Sequence, residues 1–87
     1  MEGYRTELRY VRDRTGREVD FLVTIDRKPW FAVEAKLTET AIDPSLVHFR
    51  ERLKIPFTYQ VVLQGTRDFV QDEVRCLPAA TFLSGLI

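Results

Sequence analysis

The alternation of apolar and polar positions along the chain predicts a fold rich in β-strands. A two-residue period, or a high content of β-branched and aromatic side chains, indicates strands at 5–12, 18–25, 30–37 and 57–65, with a short fifth strand at 72–78. Helical signals are fewer. Asp43 is a candidate N-cap and Pro44 suits the first turn of a helix over 43–54, and Pro78 begins a second helix over 78–87.

The order of these elements predicts an α/β fold with a mixed sheet. Short polar turns at 13–18 and 26–29 join the first three strands, so these strands form an antiparallel meander. The first helix then crosses over to the strand at 57–65, which we expect to be central and parallel to the third strand. Leu46, Phe49 and Leu53 form the core-facing stripe of that helix. With 87 residues, the chain is one small domain, 1–87, or a piece of a larger protein.

Composition and charge limit the partners that this domain can have. The chain is 45% hydrophobic and 30% charged, as in a globular domain, and its 13 basic and 13 acidic residues balance. Any contact with nucleic acid must therefore come from a local patch, and Arg50, Arg52 and Lys54 near the end of the first helix are the candidates. The alternative is that they are the solvated end of a helix, where cations complement the dipole.

The single cysteine and the hydropathy pattern favour a cytoplasmic protein. Cys76 has no partner for an internal disulfide and reads as buried packing, and the chain begins with no apolar run of signal-peptide length. No segment approaches the ~20 apolar residues that a membrane span needs, so no membrane partner is expected.

The candidate chemistry lies in the third strand, "WFAVEAKL", residues 30–37. Strand side chains alternate between faces, so Glu34 and Lys36 share one face, while the other face is apolar and is predicted to pack under the helices. Asp20 on the preceding strand is the possible partner of this pair. The alternative is an ordinary surface ion pair, worth roughly 0–1 kcal/mol.

The geometry of the turn decides whether Asp20 meets Glu34. A regular ladder with an even-length loop centred between Arg27 and Lys28 would set Asp20 opposite Ala35, and the two carboxylates would point to opposite faces. We therefore predict an odd-length loop or a β-bulge. Two converging carboxylates repel each other, which raises one pKa unless a cation lies between them, and Mg²⁺ suits such oxygen ligands.

An Asp on one strand followed by Glu-x-Lys on the next resembles the PD-(D/E)XK nuclease superfamily, whose α-β-β-β-α-β core matches the predicted order after its first helix. The resemblance implies a restriction-endonuclease-like fold and cleavage of phosphodiester bonds with Mg²⁺ or Mn²⁺. By the same resemblance, Asp20, Glu34 and the Ala35 carbonyl would hold the metal. Asp20, Glu34 and Lys36 would form the catalytic site, with Lys36 orienting or activating a water or neutralising developing charge.

A closer resemblance spans roughly residues 4–87. "GREVDF", "VEAKL" and "LPAATFL" look like segments of the C-terminal, nuclease-like domain of uncharacterised AAA-type ATPases from bacteria and archaea. The chain departs from the nuclease pattern because only "MEGY" precedes the first strand, so the first helix is expected to be missing. No GxxxxGK(S/T) motif of an ATPase domain occurs.

Two functions follow as expectations. One is a metal-dependent phosphodiesterase acting on DNA. The other is a catalytically inactive nuclease-fold module for nucleic-acid or protein binding and oligomerisation, completed by a second copy, an ATPase domain or a partner chain. A chain of this size buries only roughly 60–65% of its unfolded surface, which is why a stabilising partner is plausible.

Overall fold

The computed structural model describes residues 5–12 and 14–85. They form one open six-stranded sheet and two helices. The elements in chain order are β1 (Thr6–Arg12), β2 (Glu18–Ile25), β3 (Lys28–Thr38), α1 (Pro44–Leu53), β4 (Phe57–Gln64), β5 (Phe69–Gln71), β6 (Val74–Pro78) and α2 (Ala79–Ser84).

The mixed sheet has the strand order β1-β2-β3-β4-β6-β5. The predicted antiparallel meander of β1, β2 and β3 is confirmed, and α1 carries the chain to β4, which is parallel to β3. β4 is internal, as expected, and pairs in parallel with β6 on its other side. The three-residue strand β5, which no sequence pattern indicated, covers the far edge by pairing with β6.

Two hairpins use two-residue turns without glycine. Asp26 and Arg27 have φ values of 49° and 69°, and Asp72 and Glu73 have 51° and 62°. Positive φ at both central residues is the geometry that matches the twist of an antiparallel pair, although glycine or asparagine adopts it at lower cost. Gly16, in the β1–β2 turn, has a positive φ of 86°, which glycine adopts without a side-chain clash.

The core has two unequal halves on the two faces of the sheet. Beneath α1, a cluster that includes Leu22, Leu46 and Phe49 is almost fully buried. Beneath α2, Val33, Val61 and Leu77 form a smaller cluster. Of the three residues predicted for the core-facing stripe of α1, Leu46 and Phe49 are buried, whereas Leu53 in the last turn is 36% exposed.

The apolar face of β3 is covered only in part, contrary to the sequence prediction. Phe31 and Val33 contact the cluster beneath α2, but Ala35 is exposed and Leu37 is 63% exposed. The physical reason is the length of α2, whose six residues reach only part of the sheet. No helix in the described part of the chain is long and apolar enough to cross a membrane.

Two sequence predictions fall partly outside the described residues. The absent first nuclease helix concerns residues 1–4, which lie outside them. The final helix was predicted over 78–87. Its described part is α2, and residues 86–87 also lie outside the described range.

Candidate functional site

Two carboxylates meet where the β2–β3 ladder ends. The last paired residues are Phe21 and Val33, and beyond them side chains take the place of backbone partners. The Asp20 N–H donates to Glu34 Oε1 at 3.0 Å, and the Ala35 N–H donates to Asp20 Oδ2 at 3.0 Å. These reciprocal bonds hold Asp20 beside Glu34, as the site hypothesis requires.

The juxtaposition depends on the irregularity that the sequence predicted. The β2–β3 turn is even, with Asp26 and Arg27 between the paired Ile25 and Lys28, but the register shifts between Val23 and Thr24. One extra residue on β3, Trp30, produces this shift. The ladder then pairs Phe21 with Val33, and the next position along the same register sets Asp20 opposite Glu34. The predicted β-bulge is therefore confirmed.

A second irregularity on β2 was not predicted. Between the pairs Arg9–Leu22 and Val11–Val19, β1 advances by two residues and β2 by three. The extra residue lies at Asp20 or Phe21, so Val19 and Leu22 both face the core beneath α1. A bulge redirects a side chain, and here it lies at the aspartate of the candidate site.

Glu34 is a buried carboxylate, 8% exposed. Burial raises its pKa above the ordinary value, and the nearby charge of Asp20 adds to the increase. The hydrogen bond from the Asp20 N–H and the charge of Lys36 act in the opposite direction. The pKa of Glu34 is therefore raised, as expected, but burial contributes more to the increase than repulsion between the two carboxylates does.

Lys36 connects this pair to the start of α1. Its Nζ lies 2.7 Å from Asp43 Oδ2 and 3.4 Å from Glu34 Oε2. The hydrogen bond to Asp43 is the largest influence on Lys36 and raises its pKa, so the side chain is a firmly held cation. Asp43 also caps α1, because its Oδ1 accepts from the Ser45 N–H at 2.8 Å.

Gln60 holds the connection between β3 and α1 and is fully buried. Its Oε1 accepts from the Asp43 N–H at 2.8 Å, and its Nε2 donates to the carbonyls of Ala41 at 3.1 Å and Thr40 at 3.5 Å. Sequence reasoning missed the roles of both Gln60 and Asp43 at the site. The available signal was a glutamine between Tyr59 and Val61, in the interior of the central strand.

The donor set fits some metals and not others. Ala35 donates its N–H toward Asp20, and because the N–H and C=O of a strand residue point to the same side, the Ala35 carbonyl faces that side too. Among the described residues there is no group of three or more His, Cys, Asp or Glu that could hold a metal. Two carboxylates and a carbonyl suit Mg²⁺, which keeps several water ligands. They are too few for a closed zinc site, which needs four protein ligands.

The three basic residues near the end of α1 have different surroundings. Arg50 Nη1 pairs with Glu73 Oε2 at 2.6 Å, and its buried Nε has no hydrogen-bond partner. Lys54 is the left-handed C-cap, with φ of 53°. Arg52 lines a groove with side chains of the β1–β2 turn. A role for these residues in nucleic-acid contact stays a prediction, whereas Cys76, 2% exposed, is buried packing as expected.

Comparison with known proteins adds a family but no activity. Residues 1–82 match the family described as Domain of unknown function (DUF4143). Neither the curated proteins nor the solved structures contain a match to this chain. The interpretation of the site therefore depends on its geometry.

Proposed function

This chain belongs to the DUF4143 family, and from the geometry of its site we propose that it is a nuclease-like domain with a metal-dependent phosphodiesterase site of the PD-(D/E)XK type. The observation that carries the proposal is the reciprocal pair of 3.0 Å bonds that hold Asp20 beside Glu34 where the β2–β3 ladder ends. DNA is the proposed substrate.

The residues present fit a hard divalent cation. Asp20 and Glu34 each use one oxygen for a backbone N–H, and the lone pairs that remain, with the Ala35 carbonyl, are ligands that Mg²⁺ or Mn²⁺ accepts. A bound divalent ion would stabilise negative charge on a phosphate and lower the pKa of a coordinated water. Burial of Glu34 favours a cation as well, because positive charge offsets the cost of keeping a carboxylate away from water.

The proposed role of Lys36 follows from its protonation. A lysine with a raised pKa donates hydrogen bonds and contributes positive charge, but it is a poor proton acceptor. Of the roles that the sequence left open, we therefore assign Lys36 to orienting a water and offsetting charge on the phosphate. Asp43 is a positioning residue, since it holds the ammonium group by a 2.7 Å contact.

The test is cleavage of plasmid and linear DNA with Mn²⁺ by the wild-type protein and by Glu34→Gln and Lys36→Met. Loss of cutting in both variants is expected, with Glu7→Gln, a half-buried carboxylate on β1 that pairs with Arg5 and Arg9, as the matched control. Cutting that persists in both site variants would come from a contaminant and would refute the assignment. Isothermal titration calorimetry with Mn²⁺ separates metal binding from cleavage, because Glu34→Gln should weaken metal binding even without substrate.

A second candidate function is an inactive nuclease-fold module for binding or oligomerisation, including attachment to an ATPase domain. The incompletely covered face of the sheet favours it, since Phe21, Leu37 and Leu63 are 45%, 63% and 61% exposed. Light scattering at several protein concentrations tests it. A stable monomer that binds Mn²⁺ would argue against this alternative.

A further inference from the structure

We propose that a groove between the β1–β2 turn and α1 binds the phosphate backbone of a nucleic-acid strand next to the Asp20–Glu34 pair. The inference rests on the proposed function and identifies the surface that would hold its substrate. It concerns a different set of residues from the cluster that the sequence indicated at the end of α1, and it shares only Arg52 with that cluster.

The groove concentrates positive charge in a chain whose formal net charge is zero. It is an open cavity of about 670 Å³, and none of its described lining residues is acidic: they are Arg12, Arg14, Thr15, Arg17, His48 and Arg52. The turn sequence "RDRTGR", residues 12–17, has three arginines against one aspartate. The local balance is therefore positive, although the overall composition gives no sign of it.

A contact between the turn and the helix holds the groove together. Arg17 Nη1 lies 3.2 Å from His48 Nδ1. A guanidinium has no acceptor, so it donates to Nδ1, and the proton of a neutral His48 is then on Nε2. Arg52 follows His48 by four residues, so both side chains lie on the same side of α1.

Phosphate is the ligand chemistry that suits these residues. Arginine presents a planar fork of donors that matches phosphate oxygens, and four arginines line one open concave surface. An open groove accommodates a repeating anionic strand, whereas a membrane surface is flat and would favour apolar side chains, which this lining lacks.

The groove also lies close in sequence to the carboxylates of the candidate site. Arg17 precedes Asp20 by three residues, a separation of about 10 Å if the strand is extended. A nucleic-acid strand bound at the β1–β2 turn would therefore pass close to Asp20 and Glu34. In this arrangement the groove contacts phosphates flanking the one that lies at the carboxylates.

The experiment measures binding without chemistry. Fluorescence anisotropy of a labelled 20-nucleotide single strand, and of its duplex, is recorded in EDTA over a range of salt concentrations. The slope of log affinity against log salt is negative. Its magnitude should be smaller in the variant Arg14→Gln/Arg52→Gln, by about 1.4 for the single strand and about 1.8 for the duplex. Those slopes predict roughly 25- to 60-fold weaker binding at 0.1 M salt.

The matched control removes the same charge at the opposite end of the β2–β3 hairpin. Arg5→Gln/Lys28→Gln changes two exposed residues there and should alter affinity less than threefold. Circular dichroism checks that both variants are folded. Equal losses in the two variants would mean that only net charge matters and would overturn the groove.

Other outcomes are equally decisive. Unchanged binding by Arg14→Gln/Arg52→Gln, no binding by the wild type, or binding to phosphatidylserine vesicles but not to DNA would each overturn the inference. Failure of the catalytic proposal looks different, because it would show as cleavage that survives Glu34→Gln while metal-free DNA binding still depends on the groove.

Discussion

Replacing Gln60 with methionine tests how firmly the start of α1 is held. The variant keeps the side-chain volume and removes both polar ends. The N–H of Asp43 and the carbonyl of Ala41 then lose partners at 2.8 and 3.1 Å, while the 3.5 Å contact to Thr40 is too long to contribute much. At about 1–1.5 kcal/mol for each lost bond, the free energy of unfolding should fall by about 2–3 kcal/mol.

That loss is large for a domain of this size. Total stabilities are about 5–10 kcal/mol for chains of this length, and each kcal/mol corresponds to about 4–8 °C in Tm. We therefore expect the Tm to fall by roughly 10–20 °C in thermal denaturation followed by circular dichroism. Amide hydrogen exchange should also become faster at Asp43.

Gln64→Met is the matched control, because Gln64 lies on the same strand but is exposed. Its free energy of unfolding should stay within about 0.5 kcal/mol of the wild type. If urea denaturation gave Gln60→Met the same small change, the network around Gln60 would contribute nothing, and the account of how Asp43 and Lys36 are positioned would be refuted.

Three further results are expected from the backbone, the buried carboxylate and the buried thiol. Arg27→Gly should raise the free energy of unfolding by about 0.5–1 kcal/mol in urea, because glycine adopts the φ of 69° without a side-chain clash, whereas Arg14→Gly should not. The raised pKa of Glu34 means that the folded state holds its proton more tightly. In EDTA, stability from this group should be fully present below its ordinary pKa of 4.5 and lost as pH rises through the raised value. Glu34→Gln should flatten this part of the pH profile of Tm, and an unchanged profile would contradict the assignment. Burial of Cys76 raises its thiol pKa, so a thiol reagent should label it only as fast as the protein unfolds, and rapid labelling of the folded protein would contradict its burial.

Sequence reasoning succeeded where a pattern is local. Strand alternation and the Asp43–Pro44 helix start predicted the meander, the crossover and the parallel β4. The need to bring Asp20 to Glu34 also predicted an odd-length loop or a bulge, and a bulge occurs at Trp30. A chemical constraint thus predicted that the ladder is irregular, which propensity alone does not reveal.

The failures have a common physical cause, which is contact between segments distant in the chain. Arg50 pairs with Glu73, 23 residues later in the chain, at 2.6 Å, and no local pattern indicates that contact. Gln60 and Asp43 join the site through the β3–β4 crossover, and no spacing in the sequence records that proximity. β5 is too short, at three residues, to show an alternation.

The bonds between the Asp20 and Glu34 segments have a consequence for the history of such domains. Both carboxylates continue the pairing of β2 with β3 past its last backbone partners, so they stabilise the fold whether or not any bond is cut. Selection for folding alone would retain them. A descendant that had lost its activity would keep the aspartate and the glutamate, and its first changes would appear at Lys36, whose ammonium group takes no part in joining the two strands.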